Sequence, residues 1–118
     1  DASIRIYQQG NPHPRGYGTN ARVLSKYVRN EKVISLEEAI RRMTSLPATK
    51  FKLNGRGLLV EGYAADIVVF NEQEVADRST FEQPHQYSTG FKYVLVNGNV
   101  TVDNGTHTGT RAGVSIRK

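Results

Sequence analysis

Tyr93-Val94-Leu95-Val96-Asn97-Gly98-Asn99-Val100-Thr101-Val102 is the stretch whose reading decides the fold class. Two runs of β-branched and apolar residues flank Asn-Gly, a pair that accepts the positive φ angles of a primed two-residue turn, so the stretch reads as a β-hairpin. Asp103-Asn104-Gly105 offers another turn just beyond it, and the tail through Val114 and Ile116 is expected to add a last strand. Upstream, Leu58-Leu59-Val60 and Ile67-Val68-Val69-Phe70 are two more short strand-like runs, separated by Gly62 and closed by Asn71. The second is apolar throughout and is expected to be buried on both faces. Residues 72–90 are polar and irregular, with Pro84 and Gly90.

Before Arg56 the period is helical. Val23, Leu24, Tyr27 and Val28 fall on one apolar face, which predicts a helix from about Asn20 to Asn30 with Thr19 or Asn20 as its cap. Ser35-Leu36-Glu37-Glu38 matches a capping box, in which the Ser35 hydroxyl accepts the Glu38 amide and the Glu38 carboxylate reaches back. Leu36, Ala39, Ile40 and Met43 then form a buried stripe, and Arg41 and Arg42 suit the negative end of the helix dipole. Thr44 or Ser45 caps a short third helix that tolerates Pro47 in its first turn, turns Phe51 and Leu53 inward and ends at Asn54-Gly55. Residues 1–18 read as a long loop, because Pro12 and Pro14 force extended backbone at Asn11 and His13, and Gly10, Gly16 and Gly18 loosen the rest. Helices come first and strands second, which makes the fold class α+β.

The chain has 118 residues, enough for one modest core, and only 37% of them are AVILMFWYC. It is globular in composition but poor in apolar side chains, as expected of a piece that leans on something else. No run approaches the ~18 apolar residues of a membrane helix, and Asp1-Ala2-Ser3-Ile4-Arg5 lacks a signal-peptide layout. With no cysteine, there is neither a disulfide framework nor a thiolate metal site within these residues. The chain opens without Met and is expected to be processed or part of a longer protein. Its net charge of +5 is uneven: residues 1–60 carry eleven Lys/Arg against four acids, and residues 61–118 five against seven. No consecutive basic block and no interleaved aromatic motif marks a nucleic-acid surface, so an exposed basic face is the ordinary reading.

Side chains with catalytic potential are few. His13, His85 and His107 are the three histidines, and none forms the paired spacing of a self-contained zinc site. His107 lies in a turn-rich stretch and is read as surface, while His85 follows Pro84 and is read as a structural hydrogen-bonding group. No phosphate-binding loop is present, and Gly16-Tyr17-Gly18 is too short a signal to suggest one. Asp66 precedes a strand and is expected to tie down backbone amides at a turn. Arg15 stands apart, since a planar guanidinium presented from the stiffened stretch His13-Pro14-Arg15-Gly16 suits the two oxygens of a carboxylate or phosphate. On residue type alone, a solvated surface arginine is the commoner outcome.

Several segments, in order, resemble the C-terminal portion of the D-aminoacylases, the N-acyl-D-amino-acid deacylases of the amidohydrolase superfamily. They are Asp1-Ala2-Ser3, His13-Pro14-Arg15-Gly16-Tyr17-Gly18-Thr19, Leu36-Glu37-Glu38-Ala39, Met43-Thr44-Ser45-Leu46-Pro47-Ala48, Gly62-Tyr63-Ala64-Ala65-Asp66, Pro84-His85-Gln86-Tyr87 and Tyr93-Val94-Leu95-Val96-Asn97-Gly98. The Gly-Tyr-Ala-Ala-Asp segment signals only the superfamily, whereas His-Pro-Arg and Pro-His-Gln-Tyr narrow it. The resemblance implies a parent enzyme with a (β/α)8 barrel and a small β-sandwich domain. Residues 1–54 would be a loop and helices from the end of the barrel, and residues 55–118 strands of the β-domain.

The implied reaction is metal-dependent hydrolysis of the amide of an N-acyl-D-amino acid. Zinc, one or two ions, would be bound by an HxH pair, two further histidines and a Cys, all upstream of residue 1. Asp1 matches the family's catalytic Asp, a general base that could also touch the metal, and Arg15 matches the Arg that pairs with the substrate's α-carboxylate. Ile4-Arg5-Ile6-Tyr7-Gln8-Gln9 departs from the shorter, His-containing stretch of many members, so the choice of D-side chain is not carried over. The expected partners are the small-molecule substrate and the rest of the parent polypeptide, with no nucleic acid and no membrane. One alternative is a stand-alone basic module for an acidic partner or nucleic acid, which steeply salt-dependent binding would favour. The other is part of a cyclic amidase of the dihydroorotase or hydantoinase kind. Helix faces and strand edges that normally pack on the parent would be exposed in this chain, so self-association is expected. Sedimentation of the isolated chain should show species larger than a monomer at high concentration, and a clean monomer would contradict this.

Overall fold

The computed structural model describes residues 4–116, as two compact units. The first combines the described residues through Ser35 with Asn71–Gly90, and the second Leu36–Phe70 with the described residues from Phe91 onward. The fold is α+β with one antiparallel sheet.

In the first unit, helix α1 (Arg15–Arg22) runs directly into a π-helical stretch, Val23–Asn30, whose end is marked by the Glu31 amide donating to Lys26 O at 2.8 Å. The helix therefore starts at Arg15 rather than near Asn20, and the expected loop ends before it. Pro14, at φ −51°, is already helical, and His13 takes the first amides: Arg15 N–H donates to His13 Nδ1 and Gly16 N–H to His13 O, each at 3.0 Å. The buried face is Ala21, Leu24, Ser25 and Val28, an i, i+3, i+4, i+7 stripe shifted from the expected one, so Tyr27 stays 37% exposed. Gly18 is buried in the helix, where a Cβ would come 2.8 Å from Asp77 Cβ. Its small size, rather than loop freedom, is what the structure uses.

Residues 71–90 wrap this helix without regular structure beyond one bridge, in which Ala76 and Thr89 exchange amide hydrogen bonds of 3.2 and 2.9 Å. The Arg29 guanidinium closes the turn at Asn71–Val75 by donating to Glu72 O and Val75 O, both at 2.8 Å. Val75 is fully buried.

The second unit holds α2 (Leu36–Met43), α3 (Ser45–Lys50), β1 (Ile67–Phe70), β2 (Phe91–Val96), β3 (Asn99–Asp103) and β4 (Thr106–His107). The sheet order is β1-β2-β3-β4, antiparallel throughout. The hairpin is where the sequence puts it: Asn97 and Gly98 turn with φ of 48° and 79°, and Asn104 and Gly105 repeat the pattern at 46° and 79° before β4. The turn at Asn97 is bolted down by side chains. Asp66 Oδ1 accepts the Asn97 amide at 2.9 Å, Arg56 pairs with Asp66 and donates to Asn97 Oδ1 at 3.1 Å, and Asn97 Nδ2 donates to Ala112 O at 2.7 Å. Asp66 thus has the backbone-tying role its position suggests.

Four expectations fail here. Leu58-Leu59-Val60 is no strand, because its backbone has no partner in the sheet, and Leu59 is 81% exposed. Strand β1 is not buried on both faces, since Val68 and Val69, which point to opposite faces, are 50% and 43% exposed. Phe51 follows α3 on the outside at 58% exposure, while Ala48 fills the inner position. Val114 and Ile116 add no strand, and both are exposed.

On α2, which begins directly after Ser35, the Glu38 carboxylate receives Arg41 at 2.6 and 2.9 Å and Arg42 at 2.8 Å. Those hydrogen bonds, Arg41's first, push its carboxyl down to about 2 from 4.5. A depressed carboxyl stabilises the fold above the unfolded value and loses that contribution as pH falls from 4.5 toward 2. An NMR titration should therefore find the Glu38 midpoint near 2, and Arg41→Gln should raise it. Backbone crowding gives a second test. Gly62 and Gly90 share φ of 84°, but a Cβ at Gly62 meets nothing within 4 Å, whereas at Gly90 it would run into the Val75 backbone. Gly62→Ala should cost ~1–2 kcal/mol for its φ alone, and Gly90→Ala roughly 1–3 kcal/mol more for the collision. Equal losses in chemical denaturation would contradict this.

Candidate functional site

Arg15 is the first residue of α1, and two neighbours fix how it leaves the helix. Pro14 presets the backbone and the His13 ring accepts the Arg15 amide, so the first turn cannot fray freely. One turn on, the Thr19 hydroxyl donates to Arg15 O at 2.7 Å. The Arg15 side chain is exposed and has no acid partner among the described residues. It opens onto a groove of about 480 Å³, lined also by His13, Arg22, Tyr27, Asp77, Phe81 and Glu82. His13 meets Phe81 edge-on with ring centres 5.0 Å apart.

Asp77 anchors the far wall of this groove. It accepts Arg22 Nη1 at 2.9 Å and the buried Ser25 hydroxyl at 3.2 Å, and it sits against Gly18. Arg22 is held firmly in its charged form by that pairing, chiefly through the hydrogen bond to Asp77. The charge of Arg22 is thereby compensated in place, while the guanidinium of Arg15 has no acid partner among the described residues. A planar cation in a largely apolar groove suits a small molecule that has a carboxylate and an apolar remainder.

Behind α1 lies an aromatic cluster. The Tyr17 hydroxyl is 2.8 Å from His85 Nδ1, and Tyr7 stacks on Tyr87 with centres 5.1 Å apart. The Tyr17 hydroxyl is pushed up from 10.0, first by burial and then by Tyr87 and Tyr7, with Arg5 opposing. Ser88 Oγ donates to Tyr17 O at 3.1 Å.

His85 has the structural hydrogen bonds expected of it, and His107 lies exposed on β4. Asp1, the expected general base, lies outside the described residues. Among the described residues no group of three or more His, Cys, Asp or Glu could hold a metal ion. Asp77 and Tyr17 went unread in the sequence. A lone Asp in a polar segment carries no local signal, and a Tyr between two glycines looks like loop.

A model of the amidohydrolase family matches residues 7–102. Among curated proteins, the chain is 48% identical over 88 residues to N-acyl-D-glutamate deacylase of Alcaligenes xylosoxydans xylosoxydans, covering 75% of the chain and 18% of that protein. It is 46% identical over 102 residues to D-aminoacylase of the same organism, covering 86% and 21%. The chain thus spans about a fifth of the length of the curated relatives it matches. Among solved structures, a crystal structure of D-aminoacylase superposes with a TM-score of 0.85 at 45% identity, covering 87% of the chain and 22% of that one. N-acyl-D-glutamate deacylase from Bordetella bronchiseptica, complexed with zinc and a phosphonate mimic of the tetrahedral intermediate, gives 0.76 at 47% identity, covering 77% and 19%.

Proposed function

Because the chain belongs to the amidohydrolase family, we propose that it is the C-terminal portion of a metal-dependent hydrolase that cleaves the amide bond of N-acyl-D-amino acids. Arg15 binds the α-carboxylate of the substrate. The observation that carries this reading is the exposed guanidinium at the start of α1, on backbone fixed by His13 and Pro14, without an acid partner among the described residues, at the lip of a groove. Its fork delivers two parallel hydrogen bonds to a carboxylate, which fixes orientation as well as affinity.

Asp1 is the general base of the proposal. Its carboxylate takes a proton from the attacking water and returns it to the departing amine, so that neither hydroxide nor an amide anion has to form unaided. The zinc of the parent, one or two ions, is assigned mainly to residues upstream of Asp1, with Asp1 able to touch it. Residues 1–54 are assigned to the end of the barrel and 55–118 to the small β-domain; in support, α1 to α3 all precede residue 55 and β1 to β4 all follow it. The exposed edge of β1 and the apolar Leu58–Val60 stretch are then surfaces for the rest of the parent.

Arg15→Glu in the full-length enzyme should raise KM and lower kcat/KM for N-acetyl-D-methionine by roughly a hundredfold, about 2.7 kcal/mol of lost transition-state binding. Unchanged kinetics would remove the carboxylate role. The isolated 118-residue chain with added zinc should give no turnover above buffer, and measurable turnover would refute its status as an incomplete site.

A further inference from the structure

Arg15 lies between two stretches of chain that one imidazole holds at once. Upstream, the Gln8 amide points at His85 Nδ1 from 3.2 Å, and His85 Nε2 is 2.9 Å from Gly10 O. Downstream, the Tyr17 hydroxyl reaches the same Nδ1 at 2.8 Å. A backbone carbonyl can only accept and a backbone amide can only donate, so Nε2 carries the proton and Nδ1 offers its lone pair. The shorter contact makes Tyr17 the main donor.

The upstream stretch is not relaxed backbone. Gln8 sits at φ 63°, a conformation that residues with a Cβ seldom adopt and that persists only where surrounding contacts over-determine it. The contacts here are the His85 bond, the stacking of Tyr7 on Tyr87, and Tyr7 edge-on to the His85 ring at 5.9 Å. Between Gly10 and Arg15 run Asn11, Pro12, His13 and Pro14, a segment with two prolines and little freedom to absorb movement.

We propose that His85 is a positioning residue for Arg15: one neutral imidazole latches Gln8 and Gly10 before it and Tyr17 after it, and so sets where the guanidinium enters the groove. It touches no substrate. This rests on the reading of Arg15 as the carboxylate anchor, and it adds a group outside α1 that acts on substrate affinity.

Two measurements test it. In the 118-residue chain near pH 7.5, ¹⁵N NMR should show His85 as the Nε2–H tautomer, with an Nδ1 resonance that moves in Tyr17→Phe. A ring protonated at Nδ1, or an Nδ1 signal blind to Tyr17, would overturn the latch. In the full-length enzyme, His85→Ala should raise KM for N-acetyl-D-methionine roughly tenfold with kcat within about twofold. His85→Asn, which keeps an acceptor near Nδ1, should recover part of the loss. A substrate analogue without the α-carboxylate should be hydrolysed equally well by wild type and His85→Ala. A fall in kcat at constant KM, or equal losses on both substrates, would overturn the proposal. The two ideas fail differently: without a carboxylate role Arg15→Glu leaves the kinetics intact, whereas without a latch Arg15→Glu is impaired and His85→Ala is not.

Discussion

A shortage of apolar side chains governs how this chain is built. Six apolar residues are buried among those described, three of them alanines, and Val75 is the largest that is fully enclosed. A fully buried Leu or Val is worth ~1.5–3 kcal/mol, and such contributions are few here. The connections are instead fixed by polar side chains that bond backbone: Arg29 on the turn at Asn71–Val75, Asp66 on the Asn97 turn, His85 on the Gln8–Gly10 loop. Each such bond adds only about 0.5–1.5 kcal/mol net, but it is directional. They therefore define loop geometry more sharply than apolar contacts of equal strength would.

In the proposed carboxylate role, that directional fixing is what would make Arg15 useful. A long cation on a free loop spreads its charge over many positions and loses rotamer entropy when it binds. Here the backbone on either side is set by bonds to imidazoles, His13 at the helix start and His85 behind it, and Asp77 occupies the neighbouring Arg22. The groove thus holds Arg22 compensated by Asp77, Arg15 without an ion pair among the described residues, and the carboxylate of Glu82. Preorganisation of that kind raises affinity by removing ordering costs rather than by adding contacts.

The legible parts of the fold were those whose cause is local. Asn97-Gly98 announces its turn because few other pairs tolerate positive φ at both positions, and α2 begins directly after Ser35, where the local pattern puts a helix start. The start of α1 was not legible, because its amides are taken by a histidine ring rather than by Ser, Thr, Asp or Asn, and its glycines look like loop. Gly18 is there for Asp77, a residue far along the chain that no periodicity connects to it. The same holds for the site. Arg15 stood out for its Pro-Arg-Gly setting, but the bond from His85 to Gly10 spans 75 residues and has no local trace. Leu58-Leu59-Val60 was misread for the opposite reason: an apolar run says that a segment is to be covered, not what covers it.

The central claim is that Arg15 meets the carboxylate of an N-acyl-D-amino acid. The most direct measurement is a crystal structure of the full-length protein with a phosphonate analogue of such a substrate bound. The account predicts the Arg15 guanidinium within hydrogen-bond distance of the α-carboxylate, with His85 still bonded to Gly10 and Tyr17. A bound analogue whose carboxylate is held by other residues, with Arg15 turned to solvent, would contradict it.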